Sequence, residues 1–180
     1  MSSELTQSHF ELFALPERYA VDREALDTRY RELQREVHPD RFASAGDQAR
    51  RISMQRAAQV NEAYQTLRDP LRRARYLLER RGHTIDDQQT SAGDPVFLMQ
   101  QMELREEMGE VRGAADPLAA LDALLTRVRG SIGELEAGLE AALDGDDYEN
   151  ALELVTKMQF HARLESELRE LEAELEDALY

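Results

Sequence analysis

The side chains that could perform catalysis or bind a metal are few in this sequence. The 180 residues include four histidines and no cysteine, which excludes thiol nucleophiles, disulfides and thiolate-bound metals. A carboxylate-bridged di-iron site in a helical bundle needs Glu-x-x-His on two helices. The residues three positions before His9, His38, His83 and His161 are Thr6, Arg35, Arg80 and Met158. The sequence also lacks a glycine-rich phosphate loop and a Gly-x-Ser-x-Gly elbow, so we expect no enzymatic activity, no cofactor and no resident metal.

A rigid turn is the first candidate for a binding site. Residues 38–42 read His-Pro-Asp-Arg-Phe and follow an amphipathic segment. Proline fixes its own φ, so the imidazole and the carboxylate beside it have limited freedom, and this preorganisation lowers the entropy cost of binding. The alternative is that His38 and Asp40 only cap helix ends around a proline stop.

The second candidate is the segment Phe97–Arg112, whose apolar residues fall on two faces at about 100° per residue. One face carries Phe97, Leu104, Met108 and Val111. Nearly opposite lie Met99, Met102, Glu103, Glu106 and Glu110, with Leu98 at the edge. If the first face is buried, methionine and leucine remain exposed beside carboxylates, which is typical of a binding patch. The alternative is an ordinary solvated face with scattered apolar residues.

The turn lies between two of four helices predicted in the first half of the chain. Ser8 and Glu11 have capping-box spacing for a short helix ended by Pro16. The second helix begins after Asp22 and ends before Pro39. Its apolar stripe consists of Leu26, Tyr30, Leu33 and Val37.

The third helix is predicted to span about Gln48–Arg68 and to form an antiparallel hairpin with the second. Its inward residues are expected to be Ile52, Ala57, Val60, Ala63, Tyr64 and Leu67. The fourth, about Leu71–Arg81, ends at Gly82, a residue type common just after a helix. Its apolar side carries Leu71, Ala74 and Leu78.

In the second half, Asp94-Pro95 and Asp116-Pro117 each combine a capping side chain with proline at the first helical position. The helix from Pro117 carries Leu118, Leu121, Leu125, Val128, Ile132, Leu135 and Leu139, interrupted by Gly130, Gly133 and Gly138. The glycines suggest a close contact or a bend. The last helix starts near Asp146. Its first stripe, Ala151, Val155 and Met158, is out of phase with Leu164, Leu168, Leu171 and Leu175. We expect an antiparallel three-helix bundle, and an all-α chain throughout.

Charge divides the chain unevenly. Residues 1–83 carry 15 arginines against 13 acidic residues, whereas residues 84–180 carry 7 basic against 24 acidic residues. We therefore expect two domains, 1–83 and 94–180, joined by a polar linker over 84–93. The total charge of −15 disfavours nucleic acid and anionic membranes as partners. No basic apolar leader or membrane-span-length apolar run is present, and we expect a soluble cytosolic protein.

The turn in its helical context, followed by Asn-Glu-Ala-Tyr at 61–64 and Asp69-Pro70, resembles a J-domain. The resemblance implies docking on a DnaK-type chaperone and stimulation of its ATP hydrolysis. The residues it implies as contacts, none of them catalytic, are Arg31, Arg35, His38, Pro39, Asp40 and Arg41. The second helix carries as many acidic as basic residues, so we expect its basic face to be narrow and its docking weak or selective.

The J-domain, the linker and the acidic bundle opening Phe-Leu-Met-Gln-Gln-Met-Glu-Leu-Arg-Glu-Glu-Met at 97–108 together resemble the HscB family of iron–sulfur co-chaperones. The resemblance implies that the bundle binds the cluster-assembly scaffold IscU and that the chaperone is HscA. The implied scaffold contacts are Leu98, Met99, Met102, Glu103, Glu106, Glu110 and Phe160. Because the chain has neither the cysteine zinc module nor the transit peptide of many eukaryotic members, a bacterial cytoplasmic form is expected.

Two other interpretations stay open at this point. A general J-protein for unfolded clients would share the turn, but the glycine-phenylalanine segment and the cysteine-rich repeats of many such proteins are missing. A structural coiled-coil protein would use the leucine stripes of the last two helices. It leaves the turn and the second face of Phe97–Arg112 unexplained.

Overall fold

The computed structural model describes residues 7–38, 46–85 and 94–178, and the chain divides into two compact units, Met1–Gly82 and His83–Tyr180. All regular elements in these ranges are helical. The first unit contains α1 (His9–Leu12), α2 (Arg23–Val37), α3 (Asp47–Arg68) and α4 (Pro70–Arg80). The second contains α5 (Pro95–Glu110), a 3₁₀ turn (Val111–Gly113), α6 (Pro117–Asp144) and α7 (Tyr148–Asp177). The all-α prediction is confirmed.

Helices α1, α2, α5 and α6 begin where capping side chains predict. Ser8 and Glu11 form a reciprocal capping box at α1. Asp22 accepts hydrogen bonds from two backbone N–H groups in the first turn of α2. Asp94 and Asp116 cap α5 and α6, and a proline follows each of them. Ser8 and the three aspartates satisfy N–H groups that a helix leaves without an internal partner.

The first unit is built on the predicted α2–α3 hairpin. The rings of Tyr30 and Tyr64 stack with centroids 3.9 Å apart. The Tyr30 hydroxyl donates to Asn61 Oδ1 at 2.9 Å, and the Tyr64 hydroxyl donates to Asp27 Oδ1 at 2.8 Å. Pairing of residue 27 with 64 and of 30 with 61 shows that the two helices run antiparallel.

One inward position of α3 was predicted wrongly. Ile52 is 45% exposed, whereas its neighbour Ser53 is 2% exposed and faces the end of α2. One residue is about 100° of helix rotation, so burying position 53 turns position 52 away from the hairpin. Val60, Ala63 and Leu67 are buried as expected.

The fourth helix also differs slightly from its prediction. Its most buried apolar residues are Ala74, Leu77 and Leu78, while Leu71 is only half-buried. Gly82 follows the helix with φ +84°, the left-handed conformation expected just beyond a helix end.

In the second unit, α6 and α7 form an antiparallel pair, as ion pairing of Arg129 with Glu165 and contact of Gly138 with Leu154 show. α5 runs parallel to α7, because Arg105 pairs with Glu167 and Arg112 with Glu174. The bundle is therefore up-down-up. Val111, Leu121, Leu125, Val128, Leu164, Leu168 and Leu171 belong to one buried cluster, against which Leu104 and Met108 of α5 pack.

The two stripes of α7 are continuous, contrary to the sequence interpretation. His161 is 7% exposed and lies between Met158 and Leu164, so buried residues recur at three-residue steps through it. Because histidine is polar, an apolar pattern does not include position 161, and the two stripes therefore look out of phase in the sequence. None of the helices in the described part of the chain combines the length and apolarity that a bilayer crossing requires.

Candidate protein-interaction sites

The turn after α2 starts from a firmly held helix end. His38 is the C-cap of α2 and is exposed. The Ser53 hydroxyl donates to the backbone oxygen of Val37 at 2.7 Å, which ties the last turn of α2 to α3. The predicted contacts Pro39, Asp40 and Arg41 lie outside the described residues.

Two arginines of α2, Arg29 and Arg31, make contacts within their own helix. Arg31 and Arg35 are exposed, as the predicted docking face requires. Arg31 Nε donates to the Asp27 backbone oxygen at 3.1 Å. Arg29 pairs with Glu32 at 3.0 Å and with Glu36 at 3.5 Å. These pairs screen positive charge locally, in agreement with the balanced charge of this helix.

The first half of α3 presents cations that the sequence analysis did not single out. Arg50 and Arg51 are exposed and form no ion pair within the described residues. Ile52 and Met54 are 45% and 59% exposed beside them. A cavity of about 140 Å³ between α2 and α3 is lined by Glu36, Val37, Ala49, Ile52, Ser53 and Arg56. In the sequence, the run Arg-Arg-Ile-Ser-Met at 50–54 indicates this exposed basic and apolar surface. The prediction that Ile52 lies in the core is not compatible with it.

The predicted second face of α5 is exposed. Leu98 is 49%, Met99 63% and Met102 65% exposed, whereas Phe97 is 3% exposed. Glu103, Glu106 and Glu110 are exposed on the same helix. Val96, which the sequence analysis left out, is 67% exposed. One helix therefore buries one apolar face and presents another; we call Leu98, Met99, Met102 and the three glutamates the α5 patch.

Phe160 differs from the other expected scaffold contacts. Its side chain is half-buried and packs against the bundle core. The ring meets Phe97 edge to face with centroids 5.8 Å apart, and the Arg105 guanidinium lies 5.8 Å from its centre. Phe160 of α7 thus packs against α5, and part of the Phe160 side chain stays accessible to a partner.

The N-terminus of α5 is fastened to α7. Lys157 Nζ lies 2.8 Å from Asp94 Oδ2 and 5.5 Å from the centre of the Phe97 ring. The hydrogen bond from Lys157 and those from the N–H groups of Phe97 and Val96 lower the pKa of the Asp94 carboxyl. The single lysine of the chain therefore positions the helix that carries the patch.

No metal centre emerges from the described ranges, where no three His, Cys, Asp or Glu side chains are grouped to hold an ion. The exposed carboxylates of α5 stand beside apolar side chains, an arrangement suited to binding a protein surface.

Two family models match the chain. The model described as DnaJ domain matches residues 8–76, and that described as HSCB C-terminal oligomerisation domain matches residues 93–169. A protein of Burkholderia mallei named co-chaperone protein HscB homolog is 49% identical over 91% of this chain and 93% of its own length.

Solved structures agree with these matches. Chaperone HscB from Vibrio cholerae is 42% identical with a TM-score of 0.86, covering 94% of this chain and 99% of that one. Human co-chaperone protein HscB is 31% identical with a TM-score of 0.88, covering 96% of this chain and 85% of that one.

Proposed function

The chain belongs to the HscB family of J-domain co-chaperones, and on that premise we propose that it delivers the iron–sulfur scaffold IscU to the DnaK-type chaperone HscA. It stimulates ATP hydrolysis by the chaperone and has no catalytic residue of its own. In this proposal residues 1–83 are the J-domain, 84–93 a linker and 94–180 the scaffold-binding bundle. The matching bacterial relatives support a cytoplasmic site of action.

The chaperone-docking surface consists of the turn and the helices that flank it. His38, Pro39, Asp40 and Arg41 supply the turn, and Arg31 and Arg35 extend it along α2. Because Arg29 of α2 is already paired with Glu32 and Glu36, the exposed cations of α3 strengthen this surface. Arg50 and Arg51 attract an acidic partner, and Ile52 beside them provides apolar area.

The scaffold-binding surface is the α5 patch with Phe160. Binding removes the apolar side chains of Leu98, Met99 and Met102 from water. This burial supplies the hydrophobic contribution to the affinity. Methionine also adapts its shape to the partner. The glutamates around these residues select a partner with basic groups at its rim.

No covalent step is required of this protein. A chain that holds the chaperone through one unit and the scaffold through the other raises the effective concentration of each for the other. Delivery then follows from simultaneous binding. The observation that carries this proposal is the exposure of Leu98, Met99 and Met102 on a helix whose opposite face is buried.

The test is steady-state ATP hydrolysis by the chaperone with this protein, with and without the scaffold, for the wild-type chain and Asp40→Asn. We expect stimulation that depends on Asp40 and increases further with scaffold, while Asp40→Asn binds scaffold normally. If Asp40→Asn loses both ATPase stimulation and scaffold binding, the two functions do not use independent surfaces and the proposal is contradicted. If stimulation does not change when scaffold is added, the result favours a general J-protein for unfolded clients. If there is no stimulation at all, the turn only caps helix ends.

A further inference from the structure

We propose that the scaffold-binding surface continues from the α5 patch into a groove between α5 and α6, where a lysine or arginine side chain of the scaffold binds with His161 at its floor. This inference rests on the proposed function, because it takes the scaffold as the partner. Beyond the proposed function, the inference identifies a pocket on this protein and the chemistry of the scaffold side chain that binds in it.

The groove is a cavity of about 390 Å³. Its lining residues come from all three helices of the second unit: Phe97, Gln100, Glu103, Leu104, Glu107, Arg127, Ser131, Glu134, Leu135, Lys157 and His161. Glu103 also belongs to the α5 patch, so the groove and the patch are continuous. The exposed side chain of Val96, one helical turn before Met99 and Gln100, extends the apolar area toward the groove.

His161 supplies a hydrogen-bond acceptor at the floor. The side chain is 7% exposed, and Nδ1 lies 2.9 Å from the Lys157 backbone oxygen. A carbonyl oxygen only accepts, so Nδ1 carries the proton and Nε2 of the neutral ring is an acceptor. Nε2 has no hydrogen-bond partner within the described residues. Nε2 is not among the fully buried atoms of the described residues that lack a partner, so it is open to the groove and can accept a hydrogen bond from an occupant that donates.

The charges around the groove favour the same kind of occupant. Its two cations are already engaged, Arg127 with Glu107 and Lys157 with Asp94. Glu103 and Glu134 are exposed and form no ion pair in the part of the chain that the structure describes. Apart from the neutral side chains of Gln100 and Ser131, which can both donate and accept, the polar groups still available are the His161 ring and two carboxylates, so the net charge available to an occupant is negative.

The apolar part of the lining completes the match. Phe97, Leu104 and Leu135 provide a surface for the methylene stem of a long side chain. Lysine and arginine combine such a stem with a charged donor group at its end. A neutral apolar side chain would leave His161 Nε2 and the two carboxylates without new partners.

The test compares two charge reversals on α6 by calorimetric titration with the cognate scaffold. Glu134→Lys reverses a charge in the groove, and Glu140→Lys reverses an exposed charge on the same helix outside the groove lining. We expect Glu134→Lys to weaken binding by about tenfold or more and Glu140→Lys to change it by less than about twofold. Equal effects of the two variants overturn the groove proposal, because general charge repulsion would explain them.

A second measurement reads His161 directly in the wild-type chain. With ¹⁵N-labelled histidine, the Nε2 resonance of His161 is expected to shift when scaffold is added. An unchanged Nε2 resonance at saturation overturns the groove proposal even where patch variants weaken binding, and the proposed function then stands. If the wild-type chain does not bind scaffold at all, both proposals fail.

Discussion

Ser53 closes the end of α2. Its hydroxyl donates to the Val37 backbone oxygen at 2.7 Å, and the side chain is 2% exposed. The bond lies one residue before His38, where the turn begins. A buried side chain of α3 thus holds the last residue of α2, the point at which the chain leaves the helix toward the docking turn.

Ser53→Ala removes this bond and leaves the Val37 carbonyl without its partner. We expect the free energy of unfolding to fall by about 1–2 kcal/mol. We also expect the protein concentration that gives half-maximal ATPase stimulation to rise. Denaturant unfolding and the ATPase titration measure the two effects. Gln55→Ala, an exposed change on the same helix, serves as the control and is expected to be nearly neutral. Equal behaviour of the two variants contradicts the role of Ser53.

The methionines of the α5 patch have a matched control in the first unit. Met99 and Met102 are 63% and 65% exposed, and Met54 on α3 is 59% exposed. We expect Met99→Ala with Met102→Ala to weaken scaffold binding by about tenfold or more in calorimetry, because exposed anchors lose apolar contact. Met54→Ala should bind scaffold as the wild type does. Unaltered affinity in the double variant would refute the patch.

The cations of α3 are expected to act on the chaperone. Arg51→Glu should raise the concentration for half-maximal ATPase stimulation by about three- to tenfold, with a difference that shrinks as salt is added. Arg18→Glu makes the same charge change at another exposed position of the first unit. If the two variants behave alike, α3 has no specific part in docking. Scaffold affinity should be unchanged in both.

His9 links the packing of α1 to pH. The imidazole stacks on Tyr76 with centroids 4.2 Å apart. Burial lowers the pKa of His9 below 6.5, although Glu62 opposes the shift. The folded state therefore favours the neutral ring, and its stabilising contribution is complete above pH 6.5 and lost as pH falls toward the lowered value.

An NMR titration of the His9 ring should give a pKa below 6.5. In His9→Phe, which keeps an aromatic ring for the stack, this part of the pH dependence of thermal unfolding should disappear. A normal or raised pKa for His9 would contradict the prediction.

The glycines of α6 are expected to respond differently to alanine. A Cβ at Gly133 meets nothing within 4 Å, whereas a Cβ at Gly138 would lie 3.2 Å from Leu154 Cδ1. Gly133→Ala should stabilise the chain by about 0.5–1 kcal/mol through helix propensity. Gly138→Ala should stabilise it less, because Leu154 must move. Urea unfolding measures both, and equal stabilisation would contradict the close contact at Gly138.

Much of the fold and part of each candidate site could be predicted because they depend on residues close together in the chain. Asp22, Asp94 and Asp116 cap helices through hydrogen bonds within the next three residues, so their pattern is readable without the fold. The two faces of α5 likewise follow from helical geometry. Resemblance of the turn and of residues 97–108 to known families supplied the functional interpretation.

Long-range packing decided the rest. Ile52 is exposed because Ser53 meets the end of α2, a contact that no spacing within α3 reveals. The role of Lys157 depends on Asp94, which is brought to it only when α5 packs against α7. The groove above His161 exists only where three helices meet. The sequence by itself determined the helices, their caps and the exposed face of α5, because those follow from local bonding and periodicity. Tertiary structure alone decided which polar side chains were buried, paired or left with an unused acceptor, because each outcome depends on residues distant in the chain.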